Sequence, residues 1–169
     1  MKKLALILIS LFSMSAFAQK FAFIDSEYIL NNIPTYKAAQ DELDKYSQQW
    51  QKEVEGKYSE IDDMYKKFQS EKVLLTEDMK TKREEEIVNK EKAVKDLQKK
   101  YFGKDGDLFK KREELVKPIQ DEVYNAVKDI AADGGFAVIF DTASSGNIMY
   151  SDPKYDKSDQ VLQKLGYKK

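Results

Sequence analysis

The chain has 169 residues, 35% of them charged, and its 29 basic and 30 acidic side chains leave a formal net charge of −1. That balance lacks the basic footprint of a nucleic-acid binder, and no nucleic-acid partner is expected. Cys and His are both absent, which excludes disulfides, a thiolate or imidazole nucleophile, and the commonest ligands of zinc.

The N-terminus opens with Lys2 and Lys3. It continues through an apolar run from Leu4 to Phe12, broken by Ser10, and reaches Ala16-Phe17-Ala18. This is the basic start, short apolar core and small-x-small site of a secretory signal. The run is shorter than the roughly 20 apolar residues needed to span a bilayer. Residues 1–18 are therefore expected to be a signal peptide cleaved after Ala18, with the remainder secreted and without stable membrane contact. No Cys stands at the cleavage site to carry a lipid.

Two short apolar runs follow far apart, Phe21 to Asp25 and Phe136 to Asp141, and both end in Asp. Each reads as a buried strand. The charged sequence between them reads as two helices folded back on each other. The expected fold class is mainly α with a small β body: residues 19–34 plus 114–169 form an association domain, and residues 35–113 form an antiparallel coiled-coil hairpin projecting from it.

The first helix carries Leu43, Tyr46, Trp50, Val54, Tyr58, Ile61, Tyr65, Phe68, Lys72 and Leu75 at alternating steps of three and four. That is the seam of a coiled coil, with a stutter near Val54. A second series runs through Ile87, Lys90, Val94, Leu97, Tyr101, Lys104 and Leu108, its lysines weakening the seam. The tip is expected near residues 75–78. Thr76 suits a helix N-cap, and Glu77 and Asp78 place negative charge in the first turn. So short a connection makes the helices antiparallel. Folding the chain about Thr76 sets Tyr65 against Ile87, Tyr58 against Val94, Val54 near Leu97, and Trp50 against Tyr101 and Phe102. An arm from Thr35 to Leu75 should reach about 60 Å at 1.5 Å per residue.

The return helix is interrupted around Gly103 and Gly106. Glycine in a helix interior costs about 1 kcal/mol relative to Ala, so these positions mark either a hinge or a local bend that makes room for Trp50. Pro118 is a second breaker, displacing the backbone bond to Glu114. From Leu115 through Ile119, Val123, Ala126 and Ile130 one apolar face continues, and it is expected to cover the strands. Asp133-Gly134-Gly135 is a helix stop.

After Phe136–Asp141, the run Ser144-Ser145-Gly146-Asn147 reads as a turn and Ile148-Met149-Tyr150 as a third strand paired to the second. Asp156 can cap a last helix, closed by Gly166. The body falls below the size of about 80 residues at which a single core rarely supplies more than roughly 3–5 kcal/mol without a staple. With disulfides excluded and no metal-ligand set, oligomerisation is the available staple. Pairing of exposed strand edges in a cyclic assembly would also remove an aggregation hazard. The strand residues expected to serve it are Phe21, Phe23, Phe136, Val138 and Phe140.

Asp25 and Asp141 could form an acid–base pair, but both precede turn or cap residues, and capping is the expected role. No catalytic residue, cofactor or metal is expected.

The signal, the opening FAFIDSEYIL, the charged hairpin, REELVKPIQDEVYNAVKDIA, GFAVIFD and the closing SDPKYDKSDQVLQKLGY together resemble the Skp/OmpH-like periplasmic chaperones. The most specific stretch runs from Tyr101-Phe102-Gly103 through Gly166-Tyr167. The resemblance implies a periplasmic homotrimer shaped like a jellyfish, with strands joined in a β-barrel body and hairpin arms enclosing a cavity. It implies a holdase that keeps unfolded outer-membrane β-barrel proteins soluble without ATP. Family members can have strongly basic arms, whereas Thr35 to Glu113 here carries nineteen basic and nineteen acidic residues. No lipopolysaccharide site is therefore transferred. Off-seam apolar side chains are the candidate client contacts: Met64, Val73, Leu74, Met79, Val88, Phe102 and Phe109. The alternative for each is that it widens the seam. The alternative for the whole chain is a periplasmic spacer or adaptor that docks a folded partner.

Overall fold

A computed structural model describes residues 20–144, 146 and 148–167, so the expected signal peptide lies outside the described residues. The chain divides into two compact units. One takes in the chain up to Ile33 and from Glu122 onward; the other is Pro34–Asp121.

The first unit begins with β1, Lys20–Ile24, whose alternation buries Ala22 and Ile24 and turns Phe21 and Phe23 to the opposite face. Asp25 then caps α1, Ser26–Asn31, its Oδ1 accepting from Tyr28 N at 2.8 Å. This settles one of the two strand-ending aspartates as a cap. The second strand, β2, is Phe136–Asp141 and pairs with β1 in parallel. The register runs from Phe21 opposite Val138 to Ile24 opposite Asp141, after an irregularity at Lys20.

That pairing corrects the expectation of a third strand. Ile148-Met149-Tyr150 forms no strand, and β2 pairs with β1, not with the sequence that follows it. The physical reason lies at Asp141. Its carboxylate accepts from Ala143 N and Ser144 Oγ and turns the chain away at once, while Thr142 N donates to Ile24 O at 2.8 Å and prolongs the parallel ladder. On its other side β1 meets the segment before the last helix, where Lys157 N donates to Phe23 O at 2.8 Å. Among the described residues, β2 thus has β1 as its single strand neighbour and its outer edge is open.

In the second unit, α2 spans Pro34–Glu71, a single turn covers Lys72–Leu74, and α3 spans Glu77–Phe102. With 38 residues, α2 is about 57 Å long. Thr76 caps α3, its Oγ1 accepting from Met79 N. The seam buries Val54, Ile61 and Phe68 of α2 against Ile87, Val94 and Tyr101 of α3, each set spaced by seven. The intermediate seam positions are handled differently. Tyr58 and Tyr65 stay partly exposed and send their hydroxyls across the hairpin to Gln98 Oε1 (3.4 Å) and Glu91 Oε1 (3.0 Å). Trp50 stacks on Tyr101 with centroids 4.8 Å apart and rings 5° from parallel. Pairs that advance on one helix as they retreat on the other establish the antiparallel hairpin.

The return arm is broken outright. It resumes as α4, Asp107–Leu115, then as α5, Lys117–Gly134. At Gly103 the chain passes so close to the preceding turn that a Cβ would stand 2.3 Å from Lys99 O. Glycine is needed there for space, not for an unusual φ. Val116 separates α4 from α5, as the missing donor of Pro118 requires. The face beginning at Leu115 is shared out differently from expectation. Leu115, Val116 and Ile119 pack with Tyr36, Ala39 and Leu43 of α2, because α2 still offers apolar partners there. Only Val123, Ala126 and Ile130 are buried in the strand-bearing unit. Gly135, at φ +64°, makes the left-handed turn from α5 into β2. The last helix, α6, is Ser158–Lys164.

Candidate functional surfaces

Two surfaces carry apolar side chains that the fold does not need, one in each unit.

On the hairpin, the expected contact residues scatter along and around the arm. Val73 and Leu74, at the tip, are 88% and 83% exposed. Met79 and Val88 lie on α3 and are exposed, whereas Met64 on α2 is half-buried and packs against the seam cluster. Phe102 ends α3 and Phe109 lies on α4; both are exposed and both line a cleft of about 210 Å³ at the break. The surrounding charges are mostly local pairs on one helix, such as Lys57–Glu60 and Lys80–Glu77, both at 2.7 Å. Solvent-exposed pairs of this kind contribute little to stability. They leave a neutral, hydrated surface between the apolar patches. Two tyrosines are tied into this surface: bonds to Glu53 and Glu91 push the Tyr101 and Tyr65 hydroxyls above the ordinary phenol range.

In the strand-bearing unit, the outward face of the two-stranded sheet is aromatic. Phe21 and Phe23 meet edge to face at 5.9 Å, Phe23 lies 5.7 Å from Phe140, and Phe21 lies 5.2 Å from Tyr155. Phe21, Val138 and Phe140 remain about half exposed, while Phe136 is half-buried. Next to them in sequence, Met149 is 98% exposed and Tyr150 nearly as open. Sequence reasoning misses Tyr124, Met149, Tyr150 and Tyr155 as surface residues. Only the β-prone composition of residues 148–150 signals an exposed apolar segment, and by composition alone it is indistinguishable from a paired strand.

The strand-ending aspartates fasten the sheet to its neighbours. Asp141 accepts from Ser26 N (3.1 Å) and Ser26 Oγ (2.7 Å), besides its bonds to Ala143 and Ser144. Burial works to raise its pKa, but these hydrogen bonds outweigh burial and hold the carboxyl below its ordinary value. Asp25 and Asp141 thus serve the same helix start, α1. Beneath them Ser158, buried, donates from Oγ to Asp156 Oδ1 at 2.6 Å and accepts from Asp25 N at 2.8 Å. Among the described residues no cluster of carboxylates has the arrangement of a metal site, and no helix is long and apolar enough to cross a membrane.

A helical hairpin joined in sequence to a small parallel strand pair, with exposed apolar side chains on both units, defines a mainly helical protein with a small β body. Residues 20–165 match the OmpH family model, "Outer membrane protein (OmpH-like)". The chain belongs to the OmpH-like family. It is 29% identical over 158 residues to an uncharacterized protein of Aquifex aeolicus (strain VF5), with 94% of this chain and 93% of that protein covered. Its fold is also that of a Caulobacter crescentus CB15 protein, OmpH-like and provisionally assigned as an outer membrane chaperone. That crystal structure matches with a TM-score of 0.68 at 16% identity, over 87% of this chain and 83% of the other.

Proposed function

We propose that this chain is a periplasmic holdase chaperone that works without ATP. It self-associates as a trimer through the aromatic sheet face and holds unfolded outer-membrane β-barrel proteins between its helical arms. Family membership and the likeness of fold to the Caulobacter protein support a chaperone role. The observation that carries the reading is the distribution of exposed apolar side chains along the hairpin. Val73 with Leu74, Met79, Val88, and the pair Phe102 and Phe109 stand off the seam as four small sites, with charged residues between one and the next along the chain. A docking surface for one folded partner would gather such residues into a contiguous patch. Dispersed ones suit a client without fixed shape, touched at many points.

Each contact contributes only its share of apolar burial, about 25 cal/mol per Å². Several contacts on one chain act together, because the first raises the local concentration for the next. Holding is thus collective, and release needs no chemical step. The seam does not depend on the tip residues, so they can be changed without unfolding the arm. Replacing Val73, Leu74 and Met79 together by Ser is expected to weaken suppression of aggregation while leaving the mass in solution unchanged. The measurement is light scattering of a urea-unfolded outer-membrane barrel diluted into buffer with wild-type or variant protein. Wild-type protein that leaves the scattering unchanged would overturn the holdase reading. A triple variant as effective as wild type would remove the tip from it.

A further inference from the structure

The break in the return arm does more than bend the chain: we infer that the cleft it forms is a binding site for an aromatic side chain flanked by a carboxylate in an extended, unfolded segment. This rests on the holdase reading and names the sequence feature the arm selects.

The cleft is lined by Phe102, Gly103, Lys104, Leu108, Phe109 and Arg112. At about 210 Å³ it is smaller than the sites that take cofactors or drug-sized molecules, and its size suits a single large side chain. Its shape is set by the backbone. Gly103 N donates to Lys99 O at 2.8 Å and Gly106 N donates to Gly103 O at 2.9 Å. The close approach at Gly103 admits no side chain. Phe102 and Phe109, the last residue of one helix and an early residue of the next, are therefore presented from a defined turn. Both rings remain exposed, at 39% and 47%, although the same helices bury Tyr101 and Leu108 wholly or partly.

The charges at the cleft are equally distinctive. Of the acids nearby, Asp107 is engaged by Lys100 at 3.6 Å and Lys110 at 3.8 Å, and Glu114 by Lys111 at 2.8 Å, while Asp105 and Glu113, next in sequence to the two cleft cations, form no ion pair with them among the described residues. Lys104 and Arg112 have no ion pair among the described residues. Two phenyl rings beside two uncommitted cations complement a ligand that is aromatic and anionic over the length of one or two residues. An aromatic side chain next to Asp or Glu supplies both. The guanidinium can take the carboxylate in a forked pair, while the client ring packs on Phe102 and Phe109 in offset or edge-to-face contact.

The test uses the full-length secreted chain and a capped, dye-labelled peptide, Ser-Gly-Phe-Asp-Gly-Ser, followed by fluorescence anisotropy at low salt. Saturable binding is expected. Replacing Phe by Ser or Asp by Asn in the peptide, or making Phe109→Ser or Arg112→Gln in the protein, is expected to weaken binding about tenfold, the scale of an aromatic or arginine anchor. Gln69→Ser, elsewhere on the arm and exposed, should leave it unchanged. No saturable binding, or equal binding of the Asp and Asn peptides, overturns the proposal, and because the peptide changes leave the protein untouched, that outcome is independent of variant folding. The outcome is also separable from the holdase test. Suppressed barrel aggregation without peptide binding removes the cleft alone. Peptide binding without suppression removes the holdase reading and leaves the cleft as a recognition site.

Discussion

Asp141 shows how one side chain fixes a junction. It ends β2, yet two of its four hydrogen bonds reach Ser26 at the start of α1, across 115 residues of sequence. The other two shape the turn that carries the chain away from the sheet. Because these donors favour the ionised form, its folded pKa lies below the ordinary 3.8. A group depressed in this way stabilises the fold fully above its unfolded pKa and loses that contribution as pH falls through the folded value. Protection of the β1 and α1 amides against hydrogen exchange should therefore weaken as pH drops below 3.8. In Asp141→Asn the local opening free energy at neutral pH should fall by about 1–3 kcal/mol, the range for losing charge-assisted bonds. The acid dependence there should also flatten. An identical pH slope in wild type and variant would show that Asp141 is not the group responsible.

The hairpin element depends on a narrow seam, and two adjacent residues on α3 show how narrow. Ile87 is 1% exposed within the cluster of Ile61 and Phe68, while Val88 beside it is 57% exposed. Ile87→Ala should cost about 2–5 kcal/mol through lost burial and a cavity; Val88→Ser should stay within about 0.5 kcal/mol. Trp50, the single tryptophan, stacks on Tyr101 in the same cluster and reports urea unfolding of the hairpin directly. Equal midpoints for the two variants would contradict the seam. Much of this element is legible in sequence. Steps of three and four identify the buried positions, and folding about Thr76 brings Trp50 to Tyr101. The exposure of Tyr58 and Tyr65 is not legible, because heptad spacing does not say which alternate positions a two-helix pair buries. A tyrosine can leave the seam and still bond across it. The strand unit is harder to read. Parallel pairing of β1 with β2 joins residues more than a hundred positions apart, whereas the local signal at Ile148-Met149-Tyr150 suggests a nearer partner. The cleft lacks any signal of its own, since nothing in the order of residues shows that Phe102 and Phe109 share a cavity.

For the whole molecule, the strand-bearing unit sets the open question. Among the described residues, a two-stranded sheet with an aromatic outer face and an unpaired edge on β2 is a liability, because it offers a ready template for other chains. The proposed self-association would turn that liability into a staple, since a closed assembly would cover both the face and the edge. The proposed trimer through this surface would make stability depend on protein concentration, since only folded chains would associate. Replacing Phe21, Val138 and Phe140 together by Ser should convert a trimer into a monomer in sedimentation equilibrium. All three side chains are about half exposed in the single chain, so the lone subunit loses less from their replacement than the assembly does. The hairpin, with its own buried seam, should keep its helical signal and its Trp50 emission in that variant. If arms must act in concert around one client, the monomeric variant should also bind the Phe-Asp peptide normally yet fail to keep an unfolded barrel in solution. A wild-type chain that sediments as a monomer, or a triple variant of unchanged mass, would show that this sheet face has some other occupant.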